Sequence, residues 1–177
     1  MLRAIGLCCL LCCMHMACAQ KILSTGNGVI KFVSTRNGDV SAVNKEVNAN
    51  ISETGDISFK LLVRDFRFAM AEMEEHFNKE YLESDKYPNA TFTGRLVGIR
   101  KIDLIKKGYY KVQAAGDMTI HNVTKKITVS GTLRIEGNAV TINAKFPINI
   151  DDYNIDTGLG GVIIGNKMNV EVLAKCQ

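Results

Sequence analysis

Two histidines, His76 and His121, and one cysteine, Cys176, carry the widest chemical range in the body of the chain. Glu72, Glu75 and His76 stand at helical offsets that bring Glu72 near both others on one face, a spacing able to ligate a metal. A zinc-protease helix carries two histidines where this segment has one, so the acidic face reads as solvated. His121 lies between an alternating segment and the turn residues Asn122, Val123 and Thr124, where an imidazole bonded to a backbone group would pin the corner. No spacing joins a serine or thiol to a histidine and an acid, so no nucleophilic triad is indicated. Gly158, Gly160, Gly161 and Gly165 form a glycine-rich loop, yet an alternating segment follows it and no Gly-Lys-Ser/Thr run is present to hold phosphate. That loop reads as a rim turn or a portal. The inventory names no catalytic residue, no metal site and no cofactor.

The elements that would position these residues are mostly strands. Apolar residues alternate with polar ones at Ile30 and Phe32, and again through Ile57, Phe59, Leu61 and Val63. The same period runs through Ala90–Val97, through Tyr110, Val112 and Ala114 on to Met118 and Ile120, and through Ile127, Val129, Gly131 and Leu133. Val140, Ile142, Ala144, Phe146 and Ile148 continue it, and Met168, Val170, Val172 and Ala174 close it. Turn signals such as Asn37-Gly38-Asp39, Thr54-Gly55-Asp56 and Glu136-Gly137-Asn138 separate the segments and predict antiparallel meanders. One apolar face per strand is buried most economically by rolling the sheet on itself, which predicts a mainly β, antiparallel barrel. Between Phe66 and Ser84 the period changes: Phe66, Met70, Met73, Phe77 and Tyr81 recur at steps of three or four, predicting an inserted helix that packs as core or lies as a lid over one mouth.

The ends and the charge set further bounds. Arg3, an apolar and cysteine-rich stretch, and Ala17-Cys18-Ala19 read as a secretory signal peptide over residues 1–19, with the barrel domain over 20–177. The alternative reading makes Cys18 a lipidated N-terminus. The stretch is too short to span a membrane as a helix. Five of the six cysteines fall in this segment, so Cys176 has no partner for an internal disulfide. The formal charge of +4 and scattered lysine pairs, Lys125-Lys126 among them, do not make a phosphate-tracking groove, and nucleic acid is not an expected partner.

His76-Phe77-Asn78, the run Tyr81-Leu82-Glu83-Ser84-Asp85-Lys86-Tyr87-Pro88, and Ala90-Thr91-Phe92-Thr93-Gly94 resemble the YceI-like family of bacterial lipid-binding proteins. Gly116-Asp117-Met118-Thr119-Ile120-His121-Asn122-Val123-Thr124-Lys125 is similar to a second signature of that family. The resemblance implies a lipocalin-like barrel holding a polyisoprenoid, and a periplasmic or secreted location. Arg64-Asp65 is followed by Phe66-Arg67-Phe68 where many members carry Arg-Asp-x-His-Leu, and Asn122 replaces a glycine, which marks a divergent branch.

The expected partner is an apolar small molecule, an isoprenoid lipid or quinone, and a homodimer is a further possibility. The candidate ligand-binding residues are Phe32, Phe59, Leu61, Met70, Met73, Phe92, Leu96, Met118, Ile120, Ile142, Phe146 and Val170. Each methylene taken from water contributes about 0.8 kcal/mol, so a few isoprene units suffice without any charged contact. The competing readings are a solid barrel that contacts an envelope partner, and an enzyme acting on lipid through His76 or His121.

Overall fold

Alternation at period two commits each strand to one inward and one outward face. The computed structural model describes residues 20–99, 102–104, 106–158 and 161–177; the expected signal segment and Gly160 lie outside the described residues. Its strands are β1 (Ile22–Ser34), β2 (Ser41–Ser52), β3 (Asp56–Leu62), β4 (Arg67–Phe68), β5 (Asn89–Leu96), β6 (Gly108–Ile120), β7 (Val123–Glu136), β8 (Ala139–Asn149) and β9 (Lys167–Cys176). The order β1-β9-β8-β7-β6-β5-β3-β2 returns on itself through an antiparallel β1–β2 ladder, so eight strands make the expected barrel. The short β4 pairs with β2 at Ala42 and Val43, beyond the stretch that β3 occupies.

β2 carries few large apolar residues and the alternation pattern does not reveal it. Its inward positions are Ala42, Asn44, Val47, Ala49 and Ile51, all buried. Asn44 explains how a polar residue fits there: its Nδ2 donates to the Leu62 carbonyl at 3.0 Å and its Oδ1 accepts from the Glu46 N–H at 2.8 Å. The side chain thereby bridges the place where β3 leaves β2 and before β4 joins it. A buried amide with both groups engaged is tolerated, whereas an unpaired one costs the desolvation of that group.

The predicted helix over Phe66–Ser84 is shorter than its apolar spacing suggests. Residues Val63–Asp65 form a 3-10 turn, β4 follows, and α1 spans only Ala71–His76 before a π-turn over Phe77–Tyr81. Phe66 and Met70 are therefore in extended backbone (φ −67° and −119°), not on a common helical stripe. The glycine-rich loop likewise contains one helical turn, α2 (Gly161–Ile164).

The core is concentrated at the two ends of the barrel. At the lower end Ile102 and Leu104, from the β5–β6 connection, plug the barrel against Leu96, Leu133, Ile135 and Val140. At the upper end, where the β3–β5 and β8–β9 connections cross, Val63, Phe66, Phe77, Leu82, Ile150 and Tyr153 form a second cluster. Besides the register shifts of the β1–β2 ladder and the stretch of β2 between β3 and β4, one ladder stops short of its strand ends. β7 and β8 pair from Glu136↔Ala139 only to Gly131↔Ala144, while β8 goes on pairing with β9 through Pro147↔Asn169 to Asn149↔Lys167. Pro147 has no N–H to offer a neighbour, and a proline inside a strand is tolerated where one side is an edge.

Close strand approach at the β5–β6 seam depends on glycine. Gly94 faces Gly116 in the ladder, and a Cβ at Gly116 would lie 2.3 Å from the Thr93 carbonyl oxygen. At the end of β9, Cys176 is wholly buried and its Sγ lies 3.7 Å from the Ala49 carbonyl. Burial pushes its thiol up to about 11 from an ordinary 9.0.

Gly116→Val should lower stability by roughly 1–3 kcal/mol or more, read as a drop in the urea midpoint, because backbone rather than a flexible side chain must move. Native Cys176 should react with iodoacetamide at about pH 8 about a hundredfold more slowly than in the unfolded chain. Because the folded thiol titrates above its ordinary value, its contribution to stability is complete below about pH 9 and is lost as pH rises toward 11.

Candidate functional site

Between the two end clusters the barrel is hollow. The cavity measures about 410 Å³, within the roughly 300–1,000 Å³ range of small-molecule sites. Phe32, Phe59, Leu61, Met73, Phe92, Leu96, Met118, Ile120, Ile142, Phe146 and Val170 all line it. Met70 does not: it precedes the first turn of α1 in extended backbone and is 52% exposed, because the helix starts one residue after it. Small inward residues, Ala90, Ala114, Gly131 and Ala144, leave the space that larger ones would fill. Phe66, Phe77, Ile155, Ile164 and Met168 also line the cavity and were not among the candidates. Phe77 and Met168 sit in the periodic patterns already visible in the sequence; Ile155 and Ile164 lie in the β8–β9 connection, where no period announces an inward side chain.

The upper mouth is capped by aromatic rings. Phe32 on β1 stacks with Phe77 at a centroid distance of 5.6 Å and meets Phe66 at 5.1 Å, while Phe68 of β4 lies 5.0 Å from Phe77. Such offset and edge contacts add to simple area burial. The outer face of α1 is polar. His76 Nδ1 lies 2.9 Å from Glu80 Oε1, and Glu75 accepts from Lys79 at 2.6 Å, which holds the Glu75 carboxyl below its ordinary range. His76 also reaches the rim of the cavity.

His121 ties the capping connections together. His121 and Asn122 are the two residues of the β6–β7 hairpin turn, both with positive φ (49° and 59°), the geometry of a type I′ turn. Val123 and Thr124, expected in the turn, belong to β7. The imidazole reaches Tyr153 O through Nδ1 at 3.3 Å and Glu83 Oε2 through Nε2 at 3.1 Å, and the Tyr87 ring stands edge-on to it at 4.6 Å. The histidine therefore clamps the β3–β5 connection and the β8–β9 connection to the β6–β7 turn. The bond from His121, followed by the nearby Lys86 ammonium, lowers the Glu83 carboxyl from its ordinary range. His76 and His121 are not brought together around a common point: one sits on α1 bonded to Glu80, the other in the hairpin bonded to Glu83.

Comparison with known proteins places this geometry. Residues 21–176 match the YceI-like domain. Protein YceI of Shigella flexneri is 32% identical over 97 residues, which cover 51% of this chain and 47% of that protein. Protein YceI of Salmonella arizonae is 27% identical over 132 residues, 71% of this chain and 58% of the relative. The chain thus spans about half the length of the curated relatives it matches. Among solved structures, Burkholderia cenocepacia BcnA superposes with a TM-score of 0.72 at 19% identity, covering 85% of this chain and 96% of that one. A polyisoprenoid binding domain from Saccharophagus degradans, implicated in plant cell wall breakdown, gives 0.73 at 14% identity, covering 88% and 97%. These similarities are of fold.

The clamp has a pH signature. A carboxyl lowered in the folded state contributes stability that is present above about pH 4.5 and is lost as pH falls below it. Wild type should therefore melt higher than Glu83→Gln near neutral pH, with the gap closing as pH is lowered below 4.5 in a thermal-melt series. His121→Ala should accelerate amide exchange in residues 83–87 and 150–155 more than in the barrel strands.

Proposed function

Starting from a chain that belongs to the YceI-like family, we propose that this protein is an exported carrier that holds an isoprenoid lipid or quinone inside its barrel. The observation that carries this reading is the hollow, apolar interior. Apolar wall left facing water or void forgoes about 25 cal/mol for each Å² that a ligand would cover. An elongated apolar cargo covers that wall and loses its own contact with water. The Saccharophagus domain of the same fold is described as polyisoprenoid binding, which supports the choice of cargo class.

The wall chemistry suits such a cargo. Phe59 and Met118 meet the cavity from strands on either side of β5, and Phe92 between them pairs in register with both. Holding a hydrocarbon asks only for shape and dryness, and the aromatic cap supplies the second by covering the upper mouth. No catalytic role is assigned to either histidine in this reading: His121 holds the cap and His76 belongs to the outer face of α1. The signal peptide read over residues 1–19, and the periplasm or exterior as destination, complete the proposal.

Mass spectrometry of an organic extract of the protein, purified from its host's envelope fraction without detergent, should return a near-stoichiometric isoprenoid or quinone. A clean extract from a folded protein overturns the carrier reading in favour of a partner-binding barrel. Phe59→Asp and Met118→Asp should each lower loading at least about tenfold, since a carboxylate against the cargo is strongly disfavoured in an apolar cavity. Loading unchanged in both would remove these walls from the site.

A further inference from the structure

Four residues other than glycine have positive φ among the described residues, and they gather at one point of the upper end. Glu83 (42°), His121 (49°), Asn122 (59°) and Asn154 (54°) include both members of the His121–Glu83 pair and the residue that follows Tyr153. Asparagine and histidine visit this region more readily than glutamate, whose backbone is kept there by its surroundings. The Glu83 carbonyl accepts from the Lys86 and Tyr87 N–H groups at 2.8 and 2.9 Å.

The bonds of His121 impose a protonation requirement. Nδ1 faces the Tyr153 backbone carbonyl and Nε2 faces the Glu83 carboxylate, and both of these oxygens only accept. A neutral imidazole has one N–H, so it serves one oxygen and turns a lone pair on the other. Only the imidazolium donates to both. The side chain is 11% exposed, which leaves water little room to serve the neglected side. The β3–β5 connection presents Glu83, the Tyr87 ring and, on the other oxygen of the Glu83 carboxylate, Lys86 at 3.5 Å. The β8–β9 connection presents the Tyr153 carbonyl with Asp152 next to it in the chain, and the hairpin itself carries Lys125 beyond the turn.

The two bonds join the halves of the cap. Tyr81 and Leu82, immediately before Glu83, line the cavity from one connection, and Ile150 and Ile155, on either side of Tyr153, line it from the other. We propose that His121 is a proton-operated latch on the upper mouth: as the imidazolium it ties both connections to the β6–β7 turn, and on losing one proton it releases one of them, so that cargo enters and leaves faster as pH rises. The cargo step rests on the carrier reading, whereas the latch itself does not. Backbone held at positive φ at Glu83 and Asn154 favours release once a bond is gone. Glu83→Gln inverts the requirement, because an amide can donate to Nε2 of a neutral ring that donates through Nδ1 to Tyr153.

The test loads delipidated protein with geranylgeraniol, an alcohol that does not titrate in the range used, and follows its transfer to phosphatidylcholine vesicles between about pH 5.5 and about pH 9. Wild type should release it at least about fivefold faster at the top of that range than at the bottom. The ring nitrogen chemical shifts of His121 should move over the same interval. Amide exchange, corrected for its intrinsic pH dependence, should quicken with them in residues 83–87 and 150–155 and not in β5–β8. His121→Gln and Glu83→Gln should each change release less than about twofold across the range, the first having no proton to lose and the second keeping both bonds with a neutral ring. A rise in either variant equal to that of wild type, or exchange in the two connections that does not follow the ring's titration, overturns the latch and leaves the carrier reading intact. Failure of folded wild type to bind geranylgeraniol removes the carrier reading instead, and the exchange series on the empty protein then supports or overturns the latch by the same criterion. The exchange and chemical-shift readings are made on wild type, so they decide the matter where a substitution unfolds the chain.

Discussion

The interior of an eight-stranded barrel is about wide enough to be filled by its own side chains, so a hollow persists only where inward positions are kept small. In this chain large residues are placed at the two ends and small ones in between. Ile102, Leu104, Leu133 and Ile135 close the bottom, the phenylalanine group closes the top, and Ala90, Ala114, Gly131 and Ala144 leave the middle open. The close β5–β6 approach at Gly94 and Gly116 lets the sheet coil tightly enough to close around that space. Alternation sets the barrel, and the distribution of side-chain size within the inward set decides that it is a container.

Much of this is readable in the sequence, for an identifiable reason. β3 and β5–β9 alternate apolar or small residues with polar ones, with enough large apolar side chains to show the period, and their turns carry glycine or asparagine, so both type and order follow from local chemistry. β2 escapes notice because its inward face consists of small residues and a buried asparagine, a pattern that makes sense only once Leu62 is beside it. The inserted helix is overestimated because apolar residues at steps of three or four serve two different backbones, with Phe66 and Phe68 joining the cap from extended segments flanking β2 and Phe77 joining it from a π-turn. Both discrepancies come from tertiary neighbours that no window of sequence contains.

The candidate site was legible to a similar depth. Eleven of the twelve proposed wall residues line the cavity, ten of them through inward strand parity and Met73 from α1. Met70 fails because its position depended on a helical phase that starts only at Ala71. The short β7–β8 ladder has one local sign, Pro147 within an otherwise regular alternation, and it gains meaning only from the β7 register opposite. His121 was legible as a corner residue, but its reach to Glu83 and Tyr153, which join the chain's long connections to one hairpin, required the fold.

The ladder that closes the barrel joins the earliest strand to the last. β1 pairs with β9 from Val29↔Leu173 to Ser34↔Met168, and Gln177 and Ser24 exchange backbone hydrogen bonds below it. A chain that emerges N-terminus first can form the β1–β2 hairpin and the β5–β8 meander as it appears, but β1 keeps a free edge until β9 is available. Such long-range pairing is slow, and an open strand edge is where chains join one another. The interval between the arrival of β1 and that of β9 is therefore the period of greatest exposure to aggregation. The same order means that the hollow is enclosed only once β9 has paired with β1, so a molecule of matching shape present at that moment can be wrapped as the wall is completed rather than admitted afterwards.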